Sequence, residues 1–112
     1  MPRSPAIDPF GAIAEARRRD ILDLLAKGER SVNELVDALD LAQPQVSKHL
    51  AVLSEVGLVS VRKAGRQRFY RLNADALKPV HDWLASFERL WNERLDRLDE
   101  YLKELQSQEK PE

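Results

Sequence analysis

Apolar residues keep helical spacing up to Gly57 and then switch to alternation, and this change restricts the fold more than any other feature. Val46, Leu50 and Leu53 recur at intervals of four and three, the buried face of an amphipathic helix that runs to about Val56 and stops at Gly57. Directly afterwards "LVSVRK" places Val59 and Val61 on one side of a strand. Gly65 in "AGRQ" then supplies a turn, and "RFYRL" returns as a second strand. A helix that leads at once into a hairpin leaves few small architectures open.

Two more helices are expected upstream. Ile13 to Ala26 reads as one helix with Ile21, Leu22 and Leu25 on its apolar face and Gly28 as its stop. Ser31 lies three residues before Glu34, the capping-box spacing, and opens a short helix that buries Val32, Leu35, Val36 and Leu39. Only "DLAQ" separates it from the third helix, where Pro44 suits the first turn. Asn73 or Asp75 caps a further helix. From Lys78 to about Gln106 a long amphipathic helix carries Leu84, Phe87, Trp91, Leu95, Leu98, Leu102 and Leu105 at intervals of three or four. At 1.5 Å per residue such a helix spans roughly 40 Å, more than a small helical core can cover. A second copy of the chain is the simplest partner for the stripe.

Charge is unevenly spread along the 112 residues. Between residues 43 and 73, Lys48, Arg62, Lys63, Arg66, Arg68 and Arg71 meet only Glu55, a local charge of +5, while the whole chain carries −1. A basic middle between acidic flanks attracts phosphates. The chain has no cysteine, which excludes disulfides, thiolate metal sites and cysteine nucleophiles and fits a cytoplasmic location. No apolar run reaches the roughly 20 residues of a membrane span. Ser47 has no glycine elbow or His–Asp set around it, so no enzyme is expected. His49 has no second ligand near it in sequence. His81 and Asp82 are adjacent and so do not face one site on a helix. No metal and no cofactor are expected.

Three helices and a hairpin, with a short turn between the second and third helices, is the order of a winged helix-turn-helix. The fold class is mainly α with a small β-hairpin and a long C-terminal dimerisation helix. A helix pinned by Val46, Leu50 and Leu53 presents its polar side rigidly, and such a helix fits the DNA major groove, where glutamine pairs with adenine. The basic hairpin would lie on the backbone or in the adjacent minor groove. The expected boundaries are a flexible arm over 1–9, the DNA-binding domain over 10–106 with its dimerisation helix at about 78–106, and a disordered tail over 107–112.

"RRRDILDLLAKGERSVNELVDALDLAQPQVSKHLAVLSEVGLVSVRKAGRQRFYRL" resembles the arsenical-resistance-repressor (ArsR) family of bacterial transcriptional regulators. "QPQVSKHLAVLSEVGLV" with the "GRQRFYRL" wing is the most specific part, and the resemblance covers about Phe10 to Leu84. The subgroup without metal-binding cysteines fits best. The resemblance implies a homodimeric repressor that binds double-stranded DNA at an inverted repeat. Recognition-helix contacts would come from Gln43, Gln45, Ser47, Lys48 and His49. Wing contacts would come from Arg62, Lys63, Arg66, Gln67 and Arg68. The dimer interface would include Leu84, Phe87, Trp91, Leu95 and Leu98. A small-molecule effector is left open and unidentified. The competing reading is a helical adapter that binds a protein through the long helix.

Overall fold

The computed structural model describes residues 8–109, which form two compact units, one ending at Val80 and the other beginning at His81. The first unit contains α1 (Pro9–Ile13), α2 (Ala16–Ala26), β1 (Arg30–Ser31), α3 (Val32–Leu39), α4 (Gln43–Glu55), β2 (Val59–Ala64) and β3 (Gln67–Leu72). A 3-10 turn (Ala74–Leu77) leads into α5 (Lys78–Ala85), which crosses the unit boundary, and α6 (Glu88–Glu109) follows. Residues 1–7 of the expected arm lie outside the described residues. Asp8 and Pro9 open α1 instead, with the Asp8 carboxylate accepting from the Gly11 N–H at 2.9 Å. Residues 107–109 of the expected tail continue α6, and 110–112 lie outside the described residues.

The core of the first unit forms where three helices and the hairpin root meet. Ile21 and Leu25 of α2, Leu35 of α3, Val46, Leu50 and Leu53 of α4, and Leu58 are each at most 3% exposed. Side chains of this size contribute roughly 1.5–3 kcal/mol each when fully buried. The α3 capping box forms as its spacing predicts: Ser31 Oγ accepts from the Glu34 N–H at 3.2 Å and Glu34 Oε1 accepts from the Ser31 N–H at 3.1 Å.

The hairpin is launched by the C-terminus of α4. Gly57 takes φ 79°, the Leu58 N–H donates to the Leu53 carbonyl at 2.9 Å, and the Gly57 N–H donates to Ser54 at 3.1 Å. This is a Schellman cap. Asn73 fastens the other end of the hairpin, donating through its N–H to Leu58 at 2.8 Å and through Nδ2 to Gly57 at 2.9 Å.

Three expectations are corrected. The single helix over Ile13 to Ala26 is two helices, because Glu15 is extended (φ −92°, ψ 123°). Helix ends leave carbonyls unsatisfied, and arginine side chains take them here. Arg18 Nε donates to Ala12 at 2.7 Å and Arg19 Nη1 to Ile13 at 2.7 Å. The hairpin is part of a three-stranded antiparallel sheet in the order β1-β3-β2, with Arg30 opposite Tyr70 and Ser31 opposite Phe69. A two-residue strand is too short to show a period. The long helix over 78–106 breaks at Ser86–Phe87. Ser86 Oγ takes the Trp83 carbonyl at 2.6 Å and the Phe87 N–H shortens to Leu84 at 3.0 Å. The remaining α6 has 22 residues, about 33 Å of helix.

A bidentate ion pair ties β2 to the segment before β1. Arg62 Nη2 donates to Glu29 Oε1 at 2.6 Å and Nε reaches both carboxylate oxygens at 3.2 and 3.3 Å. The Arg62 guanidinium also stacks 4.9 Å above the Phe69 ring. The hydrogen bonds from Arg62 hold the Glu29 carboxyl below the usual carboxylate range, with the Arg62 and Arg71 charges adding to the effect against a burial contribution that opposes it.

Gly57→Ala should destabilise the unit by about 1–2 kcal/mol, the cost of an L-residue at left-handed φ, and urea unfolding measures it; no loss of stability would contradict the cap. The lowered Glu29 pKa also carries a sign. The ion pair stabilises the fold above the ordinary carboxylate pKa, and this contribution disappears as pH falls through the lowered value. Carbon-detected NMR titration of Glu29 should give a midpoint below that of an unstructured peptide, and Arg62→Met should raise it.

Candidate nucleic-acid interface

α4 is seated by one face and open on the other. With Val46, Leu50 and Leu53 buried, Gln43, Gln45, Ser47 and Lys48 all point into solvent. Such a helix presents hydrogen-bonding groups to a groove without further ordering. The structure adds a constraint at Gln45. Ala42, the N-cap of α4, has no side-chain acceptor, and Gln45 Oε1 reaches back to accept from the Ala42 N–H at 3.2 Å. Its amide NH2 stays available, but a bidentate contact to adenine needs both halves of the amide. Gln45 must release its cap to make one.

His49 sits differently from its neighbours. It is half-buried, and its Nδ1 is buried without a hydrogen-bond partner. Burial lowers its pKa, the Arg18, Lys48 and Arg17 charges lower it further, and only Glu15 opposes them. Its charged neighbours thus include α2 and the α2 cap.

The wing residues are sorted by strand register. Lys63 and Arg68 are direct cross-strand partners, as are Arg62 and Phe69. Alternation puts Lys63 and Arg68 on one face of the hairpin and Arg62 on the other. Gly65 (φ 62°) and Arg66 form the two-residue turn between them. Like charges directly opposite each other repel. Lys63, Arg66 and Arg68 are all exposed, and none forms an ion pair among the described residues. An anion at the tip relieves that repulsion. Arg62 is neutralised by Glu29.

A concavity of about 210 Å³ joins the two sets, lined by Gln43 of α4, by Arg66, Gln67 and Arg68 of the wing, and by Ser31 and Asn33 at the start of α3. The structure therefore brings Gln43 to the wing tip. Gln45, Ser47, Lys48, His49, Arg62 and Lys63 do not line it. Asn33 was missed in the sequence: the capping box marks a helix start, but not what lies across from it. Among the described residues, no three His, Asp or Glu side chains converge as a metal-ligand set, and no helix is long and apolar enough to cross a membrane.

The second unit presents a different surface. Leu84, Phe87, Trp91, Leu95 and Leu98 are exposed, Leu95 by 60%. Trp83 and Phe87 meet edge to face at 5.4 Å across the helix break. Along α6, Trp91, Leu95, Leu98, Leu102 and Leu105 repeat at alternating intervals of four and three, the seam of a coiled coil.

Comparison with known proteins agrees with this geometry. The family profile described as "Bacterial regulatory protein, arsR family" matches residues 15–61. The transcriptional repressor SdpR of Bacillus subtilis is 31% identical over 78 residues, 70% of this chain and 87% of that protein. The transcriptional activator HlyU of Vibrio cholerae is 41% identical over 73 residues, 65% of this chain and 68% of that protein. The solution structure of the homodimeric winged helix-turn-helix DNA-binding domain Mb0332 from Mycobacterium bovis superposes with a TM-score of 0.57 at 34% identity, covering 68% of this chain and 73% of that one. A polar-faced α4 seated beside a basic wing, on a sequence this close to SdpR and HlyU, makes this chain a winged helix-turn-helix member of the arsR family of bacterial regulatory proteins.

Proposed function

We propose that this chain is a homodimeric transcriptional repressor of the cytoplasm that binds an inverted repeat in double-stranded DNA. α4 enters the major groove and the wing holds the backbone or the adjacent minor groove. The concavity that joins Gln43 to Arg66, Gln67 and Arg68 is the observation that carries this reading. It sets an uncharged hydrogen-bonding side chain beside unpaired arginines, the combination needed to read a base edge next to a phosphate. Gln43, Gln45, Ser47 and Lys48 supply the groove contacts. Lys63, Arg66, Gln67 and Arg68 supply the wing contacts. His49 is partly turned into the fold and Arg62 is held by Glu29, so neither receives a contact here.

Dimerisation is assigned to the stripe of Leu84, Phe87, Trp91, Leu95 and Leu98, whose exposure leaves a large apolar surface to cover. The homodimeric state of the Mycobacterium bovis domain supports this assignment. Repression follows the resemblance to SdpR, and a reporter placed behind the upstream region of the chain's own gene tests it. Expression of the protein should lower the reporter; a rise would assign activation, as the name of HlyU describes for that protein.

An affinity series over several salt concentrations checks the division of labour. Ser47→Ala should cost about 1–3 kcal/mol on the cognate duplex and much less on a scrambled one. Arg66→Ala should weaken both and reduce the salt slope by about one per subunit. Equal loss on both duplexes for Ser47→Ala would displace α4 from the groove. Trp91→Glu buries a charge in the proposed interface, at a cost of several kcal/mol, and should turn a sedimenting dimer into a monomer at micromolar concentration. Wild-type protein that sediments as a monomer there would refute the assignment.

A further inference from the structure

Beyond Val59 the apolar hold on the hairpin thins to Tyr70, the partner of Val61, which packs partly buried against the core. Ser60 to Arg68 are all exposed, and Val61, the next residue on the core-facing side, is 49% exposed. Two strands joined by a two-residue turn are marginally stable by themselves. Among the described residues, two polar ties join the outer half of the wing to the rest of the unit besides Tyr70. One is the two-residue pairing of β1 with Phe69 and Tyr70. The other is the bidentate Arg62–Glu29 pair. Both meet at Phe69, which lies opposite Ser31 on one side and opposite Arg62 on the other, with the guanidinium over its ring.

We propose that the Glu29–Arg62 pair is a strut that fixes the pitch of the wing for DNA, so that Arg62 is a positioning residue and not a phosphate ligand. The inference rests on the DNA-binding reading above. Its first support is charge. Arg62 and Glu29 together are neutral, and a phosphate brought to the guanidinium also meets the carboxylate. Counterion release counts net neutralised phosphates, so the pair adds nothing to it. The second support is geometry. Glu29 occupies Nε and one Nη of the fork, the edge that grips a carboxylate or phosphate with two parallel bonds. The third is register. Arg62 lies on the opposite hairpin face from Lys63 and Arg68, the pair that an anion would relieve. A wing already held at its binding angle loses less conformational freedom when it docks.

Arg62→Met keeps the aliphatic stem over Phe69 and removes the charge; Glu29→Gln keeps the shape and removes the opposite charge. A duplex carrying the inverted repeat is titrated with wild type, each variant and the exchanged pair Glu29→Arg/Arg62→Glu at several salt concentrations. Each single variant should bind about three- to tenfold more weakly as a dimer, the scale of one exposed ion pair in each of two wings. Arg62→Met should keep the wild-type salt slope, and the exchanged pair should recover affinity. A slope lowered by about one per subunit in Arg62→Met, or tighter binding by Glu29→Gln, would make Arg62 a phosphate ligand and overturn the proposal. Amide hydrogen exchange of the wing without DNA separates this failure from that of the DNA-binding reading. Faster exchange from Lys63 to Arg68 in both single variants supports the strut, and unchanged exchange removes it. Wild type that binds no duplex at any salt defeats the functional reading and the strut's role in it, whatever the exchange shows.

Discussion

The hydrogen bond from the Leu58 N–H to the Leu53 carbonyl, made possible by Gly57 at φ 79°, closes α4 and sets the direction of β2 in one step. Leu53 and Leu58, on either side of it, are fully buried in the same core. Asn73 binds the backbone of Gly57 and Leu58 and so fastens the far end of the hairpin to the same joint. The direction in which the hairpin leaves α4 is therefore set at its root by a few hydrogen bonds over buried leucines. An error there would carry Arg66 and Arg68 away from Gln43 without touching any of the three.

Electrostatics divides the first unit as sharply as packing does. A total charge of −1 conceals a segment at +5, and within that segment the charges are not equivalent. Arg62 meets a carboxylate, whereas Lys63 and Arg68 meet each other. Repulsion between like partners across a strand pair costs stability in the free protein, and a polyanion returns that cost on binding. His49 follows a different logic. Its depressed pKa favours the neutral ring. A partly buried imidazole between α4 and positive neighbours on α2 serves the seating of the helix better than it would serve a phosphate.

The second unit raises the opposite problem. Its apolar residues lie on the outside, with Trp91, Leu95, Leu98 and Leu102 all exposed along α6. Ion pairs such as Arg89–Glu93 and Lys103–Asp99 flank the stripe. Pairs of this exposed kind are worth a few tenths of a kcal/mol and do not explain the leucines. The leucines' alternating spacing is that of a coiled-coil seam, the pattern on which the proposed dimerisation rests.

Much of this was legible in the sequence. The change of period at Gly57, the Ser31–Glu34 capping box and the stripe of Val46, Leu50 and Leu53 are local patterns, and each became the element it implied because backbone geometry over a few residues dictates it. The family resemblance rested on those same residues. The α1–α2 break was hidden, because it depends on Arg18 and Arg19 reaching back to carbonyls rather than outward to solvent. The break at Ser86 needed one hydroxyl to displace a helical bond. Sequence alone determined that a polar helix face and a basic hairpin exist. Only the tertiary structure decided which wing residues remain available, because Glu29 and Arg62 stand 33 positions apart. A side chain's partners follow from where the fold carries distant segments, and spacing along the chain does not contain that information.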